Sequence, residues 1–540
     1  MTDRARKVSD KRILLSIVAH ARSGAVDYAW RLLREANLDR INDDPAVLSV
    51  VGRLLKDRAL NSAGEARRRL YTEAAEAYAR AGKLNGSTYP LINAATLSLL
   101  AGAPDLAKRL AEQVLELDQR TNEEETPYFR AATRAEALLL LGDIAQAKTV
   151  FREAIALAPR AFEDHASTLR QFGLILAELR EDQGWLDTCR PPRCVHFAGH
   201  MGISDDDKSI SPKIRTVLQD ERVGFGFGAL AAGADILVAE ALLEQGAELH
   251  VVLPAPPALF RETSVAPFGA DWVARFDRVL KAADTLRSVE ADSAPTSSLA
   301  LQLASSVAMG SAVMQADVLM TEAVQLVILD RDVPAQGRPG SSNWISSNWE
   351  SAGRRQRVIA VPRMSGEPSA GGRASEELAP HVLVAMLRIE WPEPDTDVVA
   401  KNVLPHLARI VASGPSSLYE PRWTGEALVV VFASPAEAAS VALTIIAETA
   451  RMVDLRIAGH YGIVSLLENP FGGPPLLSGV AATLPRCISH STPPGAIHVS
   501  EDFVAVLYAG PAEHRPRIEY VGELPAIGEC NPIRLFSVAR

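Results

Sequence analysis

A cluster of glycines is the first part of this sequence whose residue types suggest binding chemistry. The stretch VGFGFGALAAGADILVAEALLEQGAELHVVLP, residues 223–254, is interpreted as a glycine-rich turn, an alanine-rich helix and a buried strand. Glycine lets a backbone approach an oxyanion closely, and a helix start offers N–H groups and a favourable dipole. The glycines ahead of the helix are Gly224, Gly226, Gly228 and Gly233. The pattern predicts a phosphate site, although glycines also suit any tight strand-to-helix turn.

Other polar and glycine residues are expected beside this turn. Asp235 falls at the helix start, where it could cap the helix or meet a ribose hydroxyl. Gly199 and His200 follow the apolar run 194–199, and His200 could assist catalysis or satisfy a strand-end hydrogen bond. Ligands of parallel sheets bind beyond the carboxyl ends of the strands, so we expect these residues to lie together.

Alternating strand-like and helix-like segments would position these residues. The apolar, β-rich runs are residues 194–199, 248–254, 324–330 and 357–362. Helical patterns lie between them, and this alternation predicts an α/β domain with a parallel sheet covered on both faces. The apolar stretch 298–320 is interrupted by polar residues, so it predicts a buried helix rather than a membrane span.

The first third of the chain carries an internal repeat. Residues 99–117 align without gaps with residues 139–157, with a glycine at the same place in both. Each copy predicts a helix, a turn and a second helix that stack into an all-α helical-repeat solenoid, with an unrelated helical bundle as the alternative. Residues 10–180 resemble tetratricopeptide repeats, and the stretch 88–102 looks more narrowly like the TRAFs-binding region of the apoptosis signal-regulating kinases. The resemblance implies a protein partner or self-assembly.

Composition limits the class of protein. The 540 residues suggest about three or four domains. Charged residues make up 23% and hydrophobic residues 47%, as in soluble globular proteins. The formal net charge of -10, without a basic block, disfavours a nucleic-acid partner. The start of the sequence lacks the apolar core of a signal peptide, so we expect a reduced cytoplasmic protein without a membrane anchor. Cys189 and Cys194 lack a second pair of metal ligands, so we expect no structural zinc.

The middle of the chain resembles the Rossmann-like domains of the SLOG superfamily. The glycine-rich run with its upstream FAGH carries this resemblance, which covers residues 190–362 and implies binding of a nucleotide or nucleotide derivative. Enzymatic members of the superfamily have a PGGxGTxxE motif. Residues 337–351 read GRPGSSNWISSNWES, and they keep a helix start and Glu350 but not the glycine run. The departure favours sensing over hydrolysis.

The last third resembles the catalytic domain of class III adenylate and guanylate cyclases, an α+β, ferredoxin-like fold. The resemblance covers about residues 380–540 and is most specific in STPPGAIHVSEDFVAVL (491–507), YVGELP (520–525) and LFSV (535–538). Cyclases of this family form their sites between two such domains, so one domain per chain implies a homodimer.

The same resemblance places the cyclase site residues. The two metal-binding aspartates fall on Glu390 and Glu426, and the base-reading lysine on Arg422. The asparagine and arginine of the motif G-x-x-V-N-x-x-x-R are replaced by Thr483 and Cys487. Loss of an electrostatic donor of that kind costs about 100- to 1000-fold in rate. The longer glutamates also fit the octahedral geometry of Mg²⁺ poorly. We expect a pseudoenzyme.

These observations divide the chain into helical repeats (1–188), a nucleotide-binding domain (189–362), a linker (363–380) and a cyclase-homology domain (381–540). The favoured function is a cytoplasmic, bacterial-type signalling or regulatory protein. One alternative is an active cyclase that uses Glu390 and Glu426 with Mg²⁺ or Mn²⁺. Another is an N-glycosidase-type enzyme of the middle domain, with Glu240 or Glu350 as nucleophile or base.

Overall fold

The chain divides into two compact units, Met1–Pro191 with Arg540, and Pro192–Ala539. The computed structural model describes residues 3–22, 24–118, 125–201, 203, 209–290, 297–330, 337–362, 380–391, 399–450, 452–470, 472–513, 515–525 and 532–539. Apart from Pro380, the predicted linker lies outside the described residues.

The first unit is a series of helices in which consecutive members of the first eight pack against each other, and the ninth packs against the fifth and the seventh. They are α1 (Asp3–Arg22), α2 (Val26–Glu35), α3 (Pro45–Leu60), α4 (Gly64–Asn85), α5 (Thr88–Leu100), α6 (Pro104–Asp118), α7 (Pro127–Leu141), α8 (Ile144–Leu157) and α9 (Phe162–Leu179). Gly102 and Gly142 follow α5 and α7 with φ of 89° and 88°, a left-handed conformation that suits glycine. Ala107 and Ala147 are buried at matching places in the next helices. The predicted helix-turn-helix repeat is confirmed.

The second unit contains a six-stranded parallel sheet with the order β4-β3-β2-β1-β5-β6. Its strands are β1 (Arg193–Gly199), β2 (Val223–Gly228), β3 (Glu248–Leu253), β4 (Thr285–Ser288), β5 (Ala323–Leu329) and β6 (Gln356–Ala360). Its helices are α10 (Ile210–Asp220), α11 (Ala234–Glu244), α12 (Pro257–Ser264), α13 (Ala270–Ala282), α14 (Ser298–Val318) and α15 (Ser342–Ser351). The predicted parallel sheet is confirmed, and its strand order reverses between β1 and β5.

The glycine run at 224–228 belongs to a strand, so its interpretation as a turn is wrong. These residues form most of β2, between β1 and β3. Glycine has no side chain, so the local sequence does not show whether it is buried. Here large neighbouring side chains fill the space beside each glycine. The turn before α11 is shorter and consists of residues 229–233.

A second, mixed sheet has the order β13-β14-β12-β10-β7-β9-β8, with β11 paired to β10. Its strands are β7 (His381–Glu390), β8 (Arg422–Trp423), β9 (Ala427–Phe432), β10 (Arg456–Leu467), β11 (Leu476–Ser478), β12 (Ile497–Ser500), β13 (Arg517–Leu524) and β14 (Ile533–Ala539). Its helices are α16 (Leu404–Ser413), α17 (Pro435–Thr449), α18 (Val480–Ser491) and α19 (Glu501–Ala509). Ser434 caps α17 in a capping box, as its Ser-Pro start predicts.

Helix α14 belongs to the cores of both sheets. Leu303 and Val307 pack in one cluster with Leu387 of the mixed sheet, whereas Met309 packs with Ala198 of the parallel sheet. Among the described residues, α14 is the helix long and apolar enough to cross a membrane, but 61% of its most apolar window is buried. The predicted buried helix is confirmed, and it joins the two sheets.

Candidate functional site

Gly199, His200, Gly233 and Asp235 lie together where the strand order of the parallel sheet reverses. The backbone N–H of His200 donates to the carbonyl of Ile328 (3.3 Å), and its own carbonyl accepts from the N–H of Ala234 (3.3 Å). These bonds tie the end of β1 to β5 on one side and to the start of α11 on the other. Ligands of open α/β sheets bind at such reversals.

Gly199 and Gly233 allow this close approach. A Cβ on Gly199 would overlap the Cβ of Ala234, and one on Gly233 would overlap the carbonyl oxygen of Met201. Gly233 also has φ 96°, a conformation that other residues rarely adopt. Both glycines therefore have a packing role at the site, whatever binds there.

The glycines of β2 serve packing within the sheet. A Cβ on Gly224 would lie 2.5 Å from Pro192, one on Gly228 would lie 2.6 Å from the ring of Phe197, and one on Gly226 would overlap Leu242. Only Gly228, the last residue of β2, reaches the edge of the sheet where the turn begins. Gly224 and Gly226 are not brought to the candidate site.

Groups of the protein itself accept hydrogen bonds from two backbone amides of the turn. The N–H of Ala231 donates to Oδ2 of Asp235 (3.2 Å), and that of Ala232 donates to the carbonyl of Ser264 (3.1 Å). The Asp235 side chain is buried, and burial raises its pKa to about 7 although backbone N–H groups oppose this shift. Asp235 accepts from an amide of the turn that a phosphate would need, and its carboxyl group can hydrogen-bond a hydroxyl group, so the site suits a sugar hydroxyl better.

His200 is held by its surroundings in the same way. Its ring is buried, and Nε2 lies 3.0 Å from the carbonyl of Val361, just beyond β6. This hydrogen bond ties the end of β1 to the chain after the edge strand. Of the two roles considered for His200 from the sequence, this contact matches the hydrogen bond at the end of a strand.

The buried Asp235 predicts a pH dependence of stability. A carboxyl whose pKa is raised in the folded state holds its proton there after the unfolded chain has lost it. The contribution of Asp235 to the free energy of unfolding is therefore complete below about pH 4 and is lost as the pH rises toward 7. Asp235→Asn should flatten that part of the profile and raise the free energy of unfolding at pH 8, by at most about 4 kcal/mol. Urea denaturation at several pH values measures it; parallel profiles for the two proteins would contradict it.

The two glutamates considered for nucleotide cleavage lie elsewhere. Glu240 of α11 bonds Arg275 of α13 through both carboxylate oxygens, at 3.0 and 2.5 Å. Glu350 is exposed on α15. A carboxylate held by a guanidinium fork is a poor nucleophile, and neither residue is among the groups gathered at the end of β1.

The mixed sheet brings Glu390 and Glu426 to a common end, with an arginine between them. Arg388 and Glu390 share one face of β7, and Nε of Arg388 bonds Oε1 of Glu390. Nη2 of the same guanidinium lies 3.6 Å from Oε2 of Glu426. Ser489 of α18 donates to the same Glu390 oxygen, at 2.9 Å. Arg388 and Ser489 contact these glutamates, and the sequence reasoning missed both residues.

This donor set does not fit a divalent cation. Mg²⁺ and Mn²⁺ need oxygen ligands free to turn toward the ion, but a permanently charged guanidinium contacts both carboxylates. A second arginine, Arg456, lies opposite Glu390 on β10, and its Nε is buried without an acceptor among the described residues. The described residues also include no group of three or more His, Cys, Asp or Glu that could hold a metal.

The other cyclase-position residues lie on two elements of the same domain. Arg422 of β8 donates through Nη2 to the carbonyl of Pro475. Thr483 is exposed on α18 and bonds the carbonyl of Val480 (2.9 Å), one turn before the half-buried Cys487. Threonine and cysteine at these places offer no positive charge to an anionic ligand.

A cavity of about 810 Å³ is lined by both sheets of the second unit. Arg287 of β4 contacts Glu501 (3.0 Å) and Asp502 (2.5 Å), the first residues of α19. Arg534 of β14 lies 3.2 Å from Glu501. His460 of β10 is neutral, because burial and the nearby Arg287 lower its pKa to about 3. The sequence motifs did not indicate this network.

Comparison with known proteins supports the first of the predicted resemblances. The family described as Tetratricopeptide Repeats-Sensor matches residues 3–98. This confirms repeats of the tetratricopeptide type near the start of the chain. The match ends where the 99–117 copy of the internal repeat begins. No curated protein matches the chain.

Solved cyclase structures are similar to 30% of the chain. An adenylate/guanylate cyclase/hydrolase from Silicibacter pomeroyi is 18% identical over 99% of its own length, with a TM-score of 0.25. The guanylate cyclase domain from Catenaria anguillulae in complex with GTP is 13% identical over 98% (TM-score 0.26). The adenylyl cyclase CyaB from P. aeruginosa is 12% identical over 96% (TM-score 0.25).

Proposed function

We propose that this chain is a cytoplasmic signalling or regulatory protein whose cyclase-like domain has lost metal-dependent catalysis. The helical repeats dock a protein partner, the parallel-sheet domain binds a nucleotide derivative, and the mixed-sheet domain mediates homodimerisation. The contact of Arg388 with both Glu390 and Glu426 is the observation that carries this proposal. Two-metal catalysis needs those oxygens on the ions that clamp the reacting groups.

The residues at the reversal of the parallel sheet support a ligand with a sugar. Asp235 offers a buried acceptor beside the start of α11, as an acidic residue does for ribose hydroxyls in dinucleotide-binding folds. Its hydrogen bond with the N–H of Ala231 occupies an amide that a phosphate would need. We therefore favour a Rossmann-like, SLOG-type sensor that recognises the nucleoside part of its ligand. A cleaving enzyme is less well supported, because Arg275 holds Glu240.

A thermal-shift comparison tests ligand binding. Wild-type protein is heated with a panel of nucleosides, nucleotides and dinucleotides, and a ligand that binds the folded state raises the midpoint. We expect stabilisation by at least one ribose-containing compound and its loss in Asp235→Asn, which keeps the shape of the side chain. The corresponding 2′,3′-dideoxy compound should be inactive. No stabilisation by any member of the panel would contradict nucleotide sensing.

A turnover assay tests the loss of catalysis. Purified protein is incubated with ATP or GTP and Mn²⁺, and we expect no cyclic nucleotide above background. Thr483 and Cys487 supply no cation, and the two glutamates face Arg388. Cyclic product that Glu426→Gln abolishes would support the active-cyclase alternative and refute the proposal. Light scattering on the same sample reports whether the protein is a dimer.

A further inference from the structure

We infer that Arg388 is a resident cation that takes the place of a divalent metal ion between Glu390 and Glu426, so that removing its charge creates a divalent-cation site. The inference rests on the proposed absence of metal-dependent chemistry from the mixed-sheet domain. It adds the physical cause of that absence, and it concerns metal binding rather than turnover.

The sheet register places one guanidinium between the two carboxylates. Glu390 pairs with Ala427 across β7 and β9, so Glu426 is the neighbour of the residue opposite Glu390. Arg388, two residues back along β7, has its side chain on the same face as Glu390. Nε points to one carboxylate and Nη2 to the other. The two acidic groups thus share the guanidinium of Arg388, whereas Arg456 lies opposite Glu390 alone.

Burial makes Arg388 a fixed part of the site. Its side chain is 10% exposed and that of Glu390 is 15% exposed, whereas that of Glu426 is 74% exposed. On the neighbouring strands Arg388 lies opposite Ala458 and Val429, two small residues that leave room for a long side chain. The buried ion pair of Arg388 with Glu390 is therefore stronger than the pair of Arg388 with the solvated Glu426.

Charge and geometry both exclude an ion while Arg388 is present. A guanidinium stays protonated at physiological pH, and a divalent ion at the same carboxylates would be repelled at close range. Oε1 of Glu390 also accepts from Ser489, so an ion would have to displace two donors from one oxygen. Without the Arg388 guanidinium, two carboxylates would share one site with Arg456, opposite Glu390, as the remaining neighbouring cation. This arrangement is still net negative, and hard divalent cations stabilise it.

Manganese binding to wild type and Arg388→Met tests the inference. Methionine retains much of the length of the arginine stem and removes the charge. Paramagnetic resonance of free Mn²⁺ in the presence of protein measures occupancy. We expect a saturable site in Arg388→Met, and no saturable binding by wild type at Mn²⁺ concentrations up to at least ten times the dissociation constant of that variant. The double variant Arg388→Met/Glu426→Gln should lose most of that gain. Arg422→Met, which removes an arginine of β8 that contacts the carbonyl of Pro475, should bind like wild type.

Two results would overturn the inference. One is saturable Mn²⁺ binding by wild type that Glu390→Gln abolishes, since the carboxylates would then be open to metal. The other is a folded Arg388→Met protein that binds no more Mn²⁺ than wild type. If the methionine variant does not fold, Arg388→Gln replaces it, and the wild-type and Glu390→Gln titrations still decide whether the carboxylates accept an ion. Cyclic product in the turnover assay would instead refute the proposed function, so the two failures are distinguishable.

Discussion

Gly310→Ala is expected to lower the free energy of unfolding of the Pro192–Ala539 unit by roughly 3 kcal/mol, the upper part of the usual range for overpacking. A Cβ on Gly310 of α14 would overlap the backbone carbonyl of Ala505 of α19. Backbone cannot rotate away as a side chain can, so the two helices must separate and both sheets lose contacts. Urea denaturation followed by fluorescence of the buried Trp349 measures the loss.

The matched control is a glycine-to-alanine substitution in a helix where the added Cβ has space. At Gly173 of α9 a Cβ would meet only Oε1 of Gln183, at 3.7 Å. Alanine there should stabilise the helical unit by up to about 1 kcal/mol through helix propensity alone. If Gly310→Ala also proves neutral or stabilising, the close crossing of α14 and α19 does not exist in solution.

The repeats and most strands were predictable because their signals are local. Gly102 and Gly142 mark helix ends because glycine readily adopts the left-handed conformation found there. β-rich runs such as 324–330 match the observed strands to within one residue. The run 224–228 was misinterpreted because glycine tolerates both turn and strand. What selects the strand is packing against Pro192, Phe197 and Leu242, which no local pattern shows.

The candidate sites were predictable only in part, for a related reason. Glu390 and Glu426 came from a family resemblance, but the group that decides their chemistry is Arg388, whose spacing to Glu390 is an ordinary strand alternation. The contact of Arg388 with Glu426 depends on the pairing of β7 with β9. Ser489, which bonds Glu390, belongs to a helix and lies 99 residues later in the sequence. A family pattern records which residues differ, and the structure shows the contacts that the remaining residues make.

Arg287→Met is expected to cost the second unit about 3 kcal/mol at pH 8. It leaves Glu501 and Asp502 without their main partner, and breaking a buried ion pair from one side costs about 3–5 kcal/mol. The lower end applies because the Arg287 side chain is 26% exposed to the cavity. Arg534 still contacts Glu501, so most of the loss falls on Asp502.

The pH dependence separates this electrostatic cause from lost packing. Burial raises the pKa of Asp502, and Arg287 opposes that rise. Without Arg287 the folded-state pKa rises further, so the variant's stability is retained while Asp502 is protonated and is lost as pH increases through that pKa. The deficit relative to wild type should therefore be smaller at pH 5 than at pH 8.

Adding Asp502→Asn to Arg287→Met should restore most of the lost stability at pH 8, because an amide is far less costly to bury than an unpaired carboxylate. The single variant Asp502→Asn completes the double-mutant cycle, and the coupling should exceed about 1 kcal/mol. A deficit independent of pH, or additive single effects, would mean that Arg287 acts through packing alone. Strong coupling would instead show that charges hold β4 against the start of α19, at the opposite end of that helix from the carbonyls of Tyr508 and Ala509 that Arg354 binds. Arg287 of β4 and Arg354 before β6 would then hold the two ends of one helix that packs on the mixed sheet.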